Sequence, residues 1–178
     1  MVRGMRVDAI VTVSVLCLVL APAAFAQDSS TPQHIGGAAG WDAWSFSDKA
    51  GKVCYLVGHP EKSEPAKLSR GRVDAVVTDR PGEKTFNVVN FDLGYQAKPG
   101  SSAELDIDGK KSELFTDKQA AWTPDAATDK DTTDALAKGH HAILKAVSAR
   151  GTATTDTYAL DGFKSALDAI DKACGVKR

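Results

Sequence analysis

The sequence predicts a mainly β, α+β fold: an antiparallel β-sandwich or open barrel with a C-terminal helix packed on it. Two observations predict this class. From Trp41 onward, short segments with strand character alternate with turn residues. The two helical segments do not alternate regularly with single strands, as they would in a parallel βαβ sheet.

The first 26 residues have the pattern of a secretory signal peptide. Arg3 and Arg6 give a positive start, residues 10–20 form a mostly apolar run, and Ala24 and Ala26 offer small side chains at the two positions that a signal peptidase reads. We expect cleavage between Ala26 and Gln27, and no transmembrane segment in the mature chain. A retained anchor is the alternative, but the run is shorter than the roughly 20 residues that span a bilayer.

A lipid anchor on Cys17 is a further alternative for the same segment. It is disfavoured because the bulky Leu16 stands where lipoprotein processing requires a small residue. The signal-peptide interpretation places the mature protein in the periplasm, in the medium or on the outer cell surface.

The mature chain is long enough for one domain with its own core. Residues 27–40 are rich in small and polar side chains, which predicts a flexible lead-in; residues 41–178 form the domain. Of the 22 basic and 23 acidic residues, the signal removes two basic and one acidic, so the mature net charge is −2. No excess of positive charge is available to neutralise phosphates, which argues against nucleic acid as a partner.

Two cysteines, Cys54 and Cys174, remain after the signal is removed. In an oxidising compartment an even pair predicts one disulfide, which would tie the first hairpin to the last helix. The alternative is a catalytic thiolate at Cys54 with His59 as its base, which needs an unpaired thiol.

The strands follow from alternation and turn residues. We expect strands at residues 43–47 and 52–58, the second carrying Val53, Tyr55 and Val57 on one face and Cys54 on the other. A polar connection through Pro60 and Pro65 leads to strands at 72–79 and 84–93, joined by a turn at residues 80–83. Further strands are expected at 120–123, 141–149 and 154–160.

Residues 103–115 admit two interpretations. The acidic residues Glu104, Asp106 and Asp108 match the start of an EF-hand-like calcium loop, but Phe115 occupies the twelfth position, where a carboxylate belongs. Alternation on both sides of Asp108-Gly109 instead predicts a two-residue β-hairpin.

Two helices are expected. The first begins after Pro124-Asp125 and ends near Lys138, with Gly139 as its stop. The second has Asp161 as its predicted N-cap and Gly175 as its stop. One face of the second helix carries four residues at steps of four, three and four, and it must pack on the sheet: Phe163, Leu167, Ile170 and Cys174.

Several segments, in this order, resemble the invasion-associated locus B family of bacterial exported proteins: WSFSDKAGKVCYLVGHPEKSEP, VVTDRPGE, IDGKKSELFT, AAW and SARGTATTDTYALDGFKSALDAIDKACG. The resemblance runs from about Trp44 to Gly175. It implies export to the periplasm or surface, a β-rich domain, and a role in host-cell entry for the members that gave the family its name. It implies no defined reaction and no cofactor.

Candidate catalytic, metal and binding residues carry weak signals. Ser148 with one of His34, His59, His140 and His141 could form a triad, but no G-x-S-x-G motif frames a serine. The adjacent His140 and His141 would point to opposite faces of a strand and could not easily share a metal ion. Trp41, Trp44 and Trp122 could form a ligand-stacking surface, but large aromatic side chains at strand positions more often belong to the core. Four arginines could bind an anionic partner, but solvated charges or buried ion pairs are the commoner explanation: Arg70, Arg72, Arg80 and Arg150.

We therefore expect a non-enzymatic exported protein that binds an envelope or host-cell macromolecule. The alternative is a small periplasmic hydrolase whose site the sequence does not reveal.

Overall fold

The computed structural model describes Met1 and residues 30–178, so the expected signal peptide and its cleavage site at Ala26 and Gln27 lie outside the described residues. The described chain forms one sheet and two helices. The strands and helices are, in chain order, β1 Gln33–Ala38, β2 Trp41–Asp48, β3 Gly51–Gly58, β4 Lys62–Glu64, β5 Asp74–Arg80, β6 Thr85–Asp92, β7 Ser102–Ile107, β8 Lys110–Asp117, β9 Ala120–Trp122, α1 Ala126–Lys138, β10 His141–Val147, β11 Ala153–Ala159 and α2 Phe163–Cys174.

The sheet is antiparallel and open. Its strand order is β1-β2-β3-β5-β6-β9-β8-β7-β10-β11-β4, so β1 and β4 are the two edges. The sheet curves so that β2 and β11, the strands next to its two edges, approach each other across the core. The indole of Trp41 in β2 donates a 2.7 Å hydrogen bond to the carbonyl of Ala159 in β11. This confirms the predicted class, and the open-barrel alternative describes it better than two separate sheets.

Aromatic side chains fill the core between the two halves of the curved sheet. The Trp41 ring lies 4.9 Å from Phe163 of α2, and Phe91 of β6 lies 5.7 Å from Tyr158 of β11. All four side chains are almost fully buried. Burial of such large apolar rings is the main stabilising contribution to a domain of this size.

Helix α2 packs on the inner side of β1, β2 and β3. Its predicted stripe is confirmed, since Phe163, Leu167 and Ile170 are buried. A disulfide between Cys54 and Cys174 joins β3 to the end of α2, and the Cα atoms of the two cysteines lie 6.1 Å apart. The helix is therefore held to the sheet by both apolar contact and a covalent bond.

The predicted N-cap of α2 is wrong. Gly162, not Asp161, precedes the first helical residue, and no side chain caps the helix. A Cβ at position 162 would lie 1.8 Å from the carbonyl oxygen of Ala38, so the close approach of β1 requires glycine here. Tertiary contact decides where this helix begins.

The predicted flexible lead-in over residues 27–40 is wrong for residues 33–38, which form β1. This strand pairs with β2 from Gln33 to Ala38, with an irregularity between His34 and Gly36. Ile35 packs against the core, and Gly36 lies against Ala169 of α2. Pairing and helix contact order a segment whose composition indicates flexibility.

Two further local predictions are confirmed, the hairpin at Asp108-Gly109 and the start of α1. The Asp108-Gly109 hairpin joins β7 and β8, and α1 begins after Asp125, whose side chain accepts a hydrogen bond from the Thr128 amide. The polar connection at residues 60–65 contains the short edge strand β4, which the sequence did not predict because it has only three residues.

Candidate binding face on the outer side of the sheet

The outer side of β2, β3 and β5 carries large apolar side chains. We call this surface the aromatic face and define it by its five half-buried members: Trp44, Phe46, Tyr55, Val57 and Val76. The alternation predicted for β3 is confirmed, with Tyr55 and Val57 opposite Cys54. Cys54 and Leu56 face the core, so the tyrosine is left on the solvent side.

Strand pairing places these side chains beside one another. Trp44 is the direct partner of Tyr55, and Val57 is the partner of Val76. The Phe46 and Tyr55 rings pack edge to face at 6.1 Å, and Trp44 meets His34 of β1 in the same way at 5.0 Å. Cross-strand aromatic contacts of this kind stiffen a sheet surface and fix the orientation of its rings.

A cavity of about 240 Å³ lies at one end of the aromatic face. We call it the rim pocket; it is lined by Pro32, Asp42, Trp44, Tyr55, Val57, His59 and Arg72. Two aromatic rings therefore stand next to a histidine, a guanidinium and a carboxylate.

A buried carboxylate beneath the rim pocket positions two of its polar side chains. Asp74, at the start of β5, is 0% exposed, whereas the side chains of His59 and Arg72 are 64% and 71% exposed. Nδ1 of His59 lies 2.5 Å from Oδ1 of Asp74, and Nε of Arg72 lies against Oδ2 without hydrogen-bonding alignment. With the carboxylate oxygen as acceptor, Nδ1 of His59 is the donor. Within residues 30–178, Nε2 of His59 makes no hydrogen bond.

The next strand adds a second carboxylate behind this group. Asp92 of β6 is the direct cross-strand partner of Asp74. Partial burial raises the pKa of Asp92, the neighbouring Asp74 charge raises it further, and Arg72 opposes both effects. The electrostatic balance of the site thus depends on Arg72 as well as on the two aspartates.

The other half of the outer surface is different in character. We call it the charged face and define it by Glu104 of β7, Lys111 and Glu113 of β8, and Lys145 of β10. The ammonium groups of Lys111 and Lys145 lie 3.0 and 3.5 Å from Glu104. A concavity of about 490 Å³ lies on this face, so the larger cavity is lined by charges that already pair with each other.

The structure does not bring the other candidate histidines and serine together. His140 and His141 donate their backbone N–H groups to Asp108, and the described residues contain no cluster of three metal-ligating side chains. The Ser148 hydroxyl accepts a 3.1 Å hydrogen bond from the Thr152 amide in a turn. These interactions are structural.

The tryptophans do not share a surface. Trp41 is buried in the core and Trp44 lies on the aromatic face. Trp122 lies in β9 as the cross-strand partner of Phe115.

Three of the four candidate arginines form ion pairs. Arg70 pairs with the buried Asp156, Arg72 pairs with Asp74, and Arg80 lies 2.7 Å from Asp48. The ion-pair interpretation is confirmed for these three. Arg150 is exposed and lines a separate cavity with Arg70 and Ser148.

The profile of the family described as Invasion associated locus B (IalB) protein matches residues 41–171. The chain belongs to the IalB family. No curated protein and no solved structure is similar enough to the chain to count as a match.

The IalB match covers β2 to β11 and most of α2. It includes all five members of the aromatic face, together with His59, Arg72 and Asp74, whereas Pro32, β1 and Cys174 lie outside it. IalB is not a known enzyme family. The candidate face is thus part of the IalB domain itself.

Sequence reasoning missed Asp74 and Asp42 in this IalB chain. Both lie in strands and have no motif around them. One sequence signal for Asp74 was available: it comes directly before the apolar run Ala75-Val76-Val77. A carboxylate buried beside such a run requires partners that stabilise its charge. Arg72 is only two residues away in the chain, but His59 becomes a neighbour of Asp74 only when β3 pairs with β5.

Proposed function

We propose that this IalB protein is exported to the periplasm or cell surface and binds an envelope or host-cell macromolecule through its aromatic face. The observation that carries the proposal is the Trp44 and Tyr55 pair. Both side chains stay half-buried after the described chain has packed around them, and both line the rim pocket. Aromatic side chains next to polar groups in a concave site are typical of binding surfaces.

Export is supported by chemistry and by the signal-peptide pattern. The Cys54–Cys174 disulfide suits an oxidising compartment. Among the described residues, no helix is long and apolar enough to cross a membrane. A mature N terminus at Gln27 and the absence of alkylatable thiols in exported protein are the expected results; intracellular protein with two free thiols would contradict export.

Site-specific photocrosslinking in intact cells tests the binding surface. A photoreactive phenylalanine analogue replaces Tyr55 on the aromatic face, and the same analogue replaces Lys145 on the charged face as a matched control. We expect a defined adduct from position 55, none from position 145, and loss of the adduct when Trp44→Ala is added. Equal adducts at both positions, or none at position 55, would contradict the proposal.

A second candidate function, hydrolysis, is favoured by the contact between His59 and Asp74. A buried carboxylate that accepts from Nδ1 leaves Nε2 as a base aimed at solvent, as in hydrolytic triads. Within the described residues, no hydroxyl or thiol hydrogen-bonds to Nε2 of His59, so water would be the nucleophile.

A panel of ester, peptide, glycoside and phosphate substrates separates this candidate from binding. Turnover that His59→Ala abolishes, and that His140→Ala, His141→Ala and Ser148→Ala retain, would favour hydrolysis. Absence of turnover in the folded wild-type protein would favour binding alone.

A further inference from the structure

The rim pocket combines aromatic surface with hydrogen-bonding groups of both kinds. Trp44 and Tyr55 supply π faces, which attract the positively polarised C–H groups of a saturated ring. Arg72 supplies donors, Asp42 supplies acceptors, and His59 supplies a ring nitrogen. A ligand for this pocket needs an apolar side and several groups that both donate and accept.

The charged side chains around the pocket already have polar partners. Arg72 pairs with Asp74, and Nε2 of His34 lies 3.0 Å from Asp42. An anionic ligand would meet the carboxylate of Asp42, and a cationic ligand would meet the guanidinium of Arg72 beside the same rings. The pairing therefore favours an uncharged ligand over either kind of ion.

The pocket is also small. Its volume of about 240 Å³ lies below the roughly 300–1,000 Å³ of pockets that take drug-sized molecules. A single six-membered ring with hydroxyl groups suits this volume. The solvent-facing position of the pocket on a sheet surface allows a longer chain to continue beyond that ring.

We propose that the rim pocket binds one uncharged sugar ring of a glycan. The ring packs against Trp44 and Tyr55, and its hydroxyl groups hydrogen-bond with Arg72, Asp42 and His59. Asp74 acts as a positioning residue, because it holds His59 and Arg72 from below without reaching the pocket itself. This inference rests on the proposed function and specifies the chemistry of its partner.

Equilibrium binding of labelled oligosaccharides to the purified exported protein tests the inference. The uncharged probes are maltotriose and an N-acetylglucosamine trimer; oligogalacturonate and short peptides are the charged and peptide probes. We expect saturable binding of at least one uncharged probe below about 10 mM, the range of affinity that one sugar ring can supply. Trp44→Ala should weaken it by about 10–30-fold.

Two further variants complete the test. Arg72→Lys keeps a positive charge beside the buried Asp74 but loses the guanidinium donors, so it should weaken sugar binding several-fold. Lys145→Ala on the charged face should leave binding unchanged. Absence of uncharged-sugar binding up to about 10 mM, tighter binding of the peptide or acidic probe, or binding insensitive to Trp44→Ala would overturn the inference.

The two proposals fail separately. If Tyr55 crosslinking persists while no uncharged sugar binds, the saccharide assignment is wrong and the binding function remains supported. If crosslinking and sugar binding are both absent, both proposals are wrong.

Discussion

The aromatic face and the charged face are two halves of one outer sheet surface, and they differ in the kind of side chain that they present to solvent. On the charged face, Lys111 and Lys145 converge on Glu104, and the one large apolar side chain of residues 30–178 that is exposed on that side of β8 is Phe115. On the aromatic face, Trp44 and Tyr55 occupy equivalent positions and leave apolar surface in contact with water.

The comparison shows that alternation alone does not determine what an outer strand position does. Both halves obey the same two-residue period. Exposed aromatic surface contributes little to the stability of a domain and increases the risk of association, whereas a contiguous apolar patch with polar edges is typical of an interaction site. Cavity volume is the weaker guide, because the 490 Å³ concavity lies on the charged face.

The largest expected effect is a loss of thermal stability when the disulfide between β3 and α2, beneath the aromatic face, is removed. Replacing Cys174 with serine removes the bond between α2 and β3, which closes a loop of about 120 residues. Closing a loop of this length stabilises a protein by at most about 4–5 kcal/mol, so we expect the melting temperature to fall by about 10 °C. Calorimetry of the oxidised wild-type protein and the variant measures this.

Hydrogen exchange on the same variant sharpens the comparison between the two halves. Amides of α2 and β3 should lose more protection than amides of β10, which lies beneath the charged face. Equal loss throughout the sheet, or an unchanged melting temperature, would contradict a local role for the disulfide.

The second effect concerns binding. Trp44→Ala removes an aromatic side chain that lines the rim pocket, and Lys145→Ala removes a charge from the other half. We expect Trp44→Ala to weaken binding to the crosslinked partner by about 30-fold, as for an aromatic residue at the centre of an interface, and Lys145→Ala to change it less than about twofold. Titration of both folded variants with the partner gives the two dissociation constants. Similar losses of affinity in the two variants would show that the two faces do not differ in binding.

The third effect isolates the positioning of His59 and Arg72. Asp74→Asn keeps an acceptor for Nδ1 of His59 but removes the charge that faces Arg72. We expect about tenfold weaker binding, because the two side chains lose their fixed orientation. Glu113→Gln makes the same charge change at an exposed position on the charged face and serves as the control. Unaltered binding by Asp74→Asn would show that the orientation of these side chains does not matter.

The smallest expected effect is a pH dependence at Asp92. Its pKa is raised in the folded protein by burial and by Asp74, so ionisation of Asp92 opposes folding. The contribution of Asp92 to the free energy of unfolding is therefore largest at low pH. It falls as the pH rises from the ordinary carboxyl pKa through the raised pKa of Asp92.

The matching variant tests that sign. Asp92→Asn should raise the melting temperature by about 1–2 °C near neutral pH, and the gain should shrink towards zero as the pH falls below the ordinary carboxyl pKa of 3.8. A gain that grows on acidification would contradict the assigned direction.

Local patterns predicted much of this fold because several elements depend on few neighbours. The hairpin follows from Asp108-Gly109, helix α1 from Asp125 and Gly139, and the buried side of α2 from its apolar spacing. Each is specified by residues close together in the chain.

The errors occur where distant segments decide the outcome. Gly162 begins α2 because Ala38 passes so closely, and β1 is ordered by β2 and α2 despite its polar, glycine-containing sequence. The sequence did not predict the candidate site for the same reason. Asp74 can hold His59 and Arg72 in position only after strand pairing has brought His59 to it.

The indole N–H signals of the three tryptophans test the central claim most directly, because each lies in a different environment. The ¹H–¹⁵N spectrum of labelled protein is recorded with and without the envelope partner identified by crosslinking. We predict a shift of the Trp44 signal, with the Trp41 signal unchanged because its indole is hydrogen-bonded to Ala159 in the core. A bound partner that leaves Trp44 unchanged, or that shifts only Trp122, would contradict the assignment of the aromatic face as the binding surface.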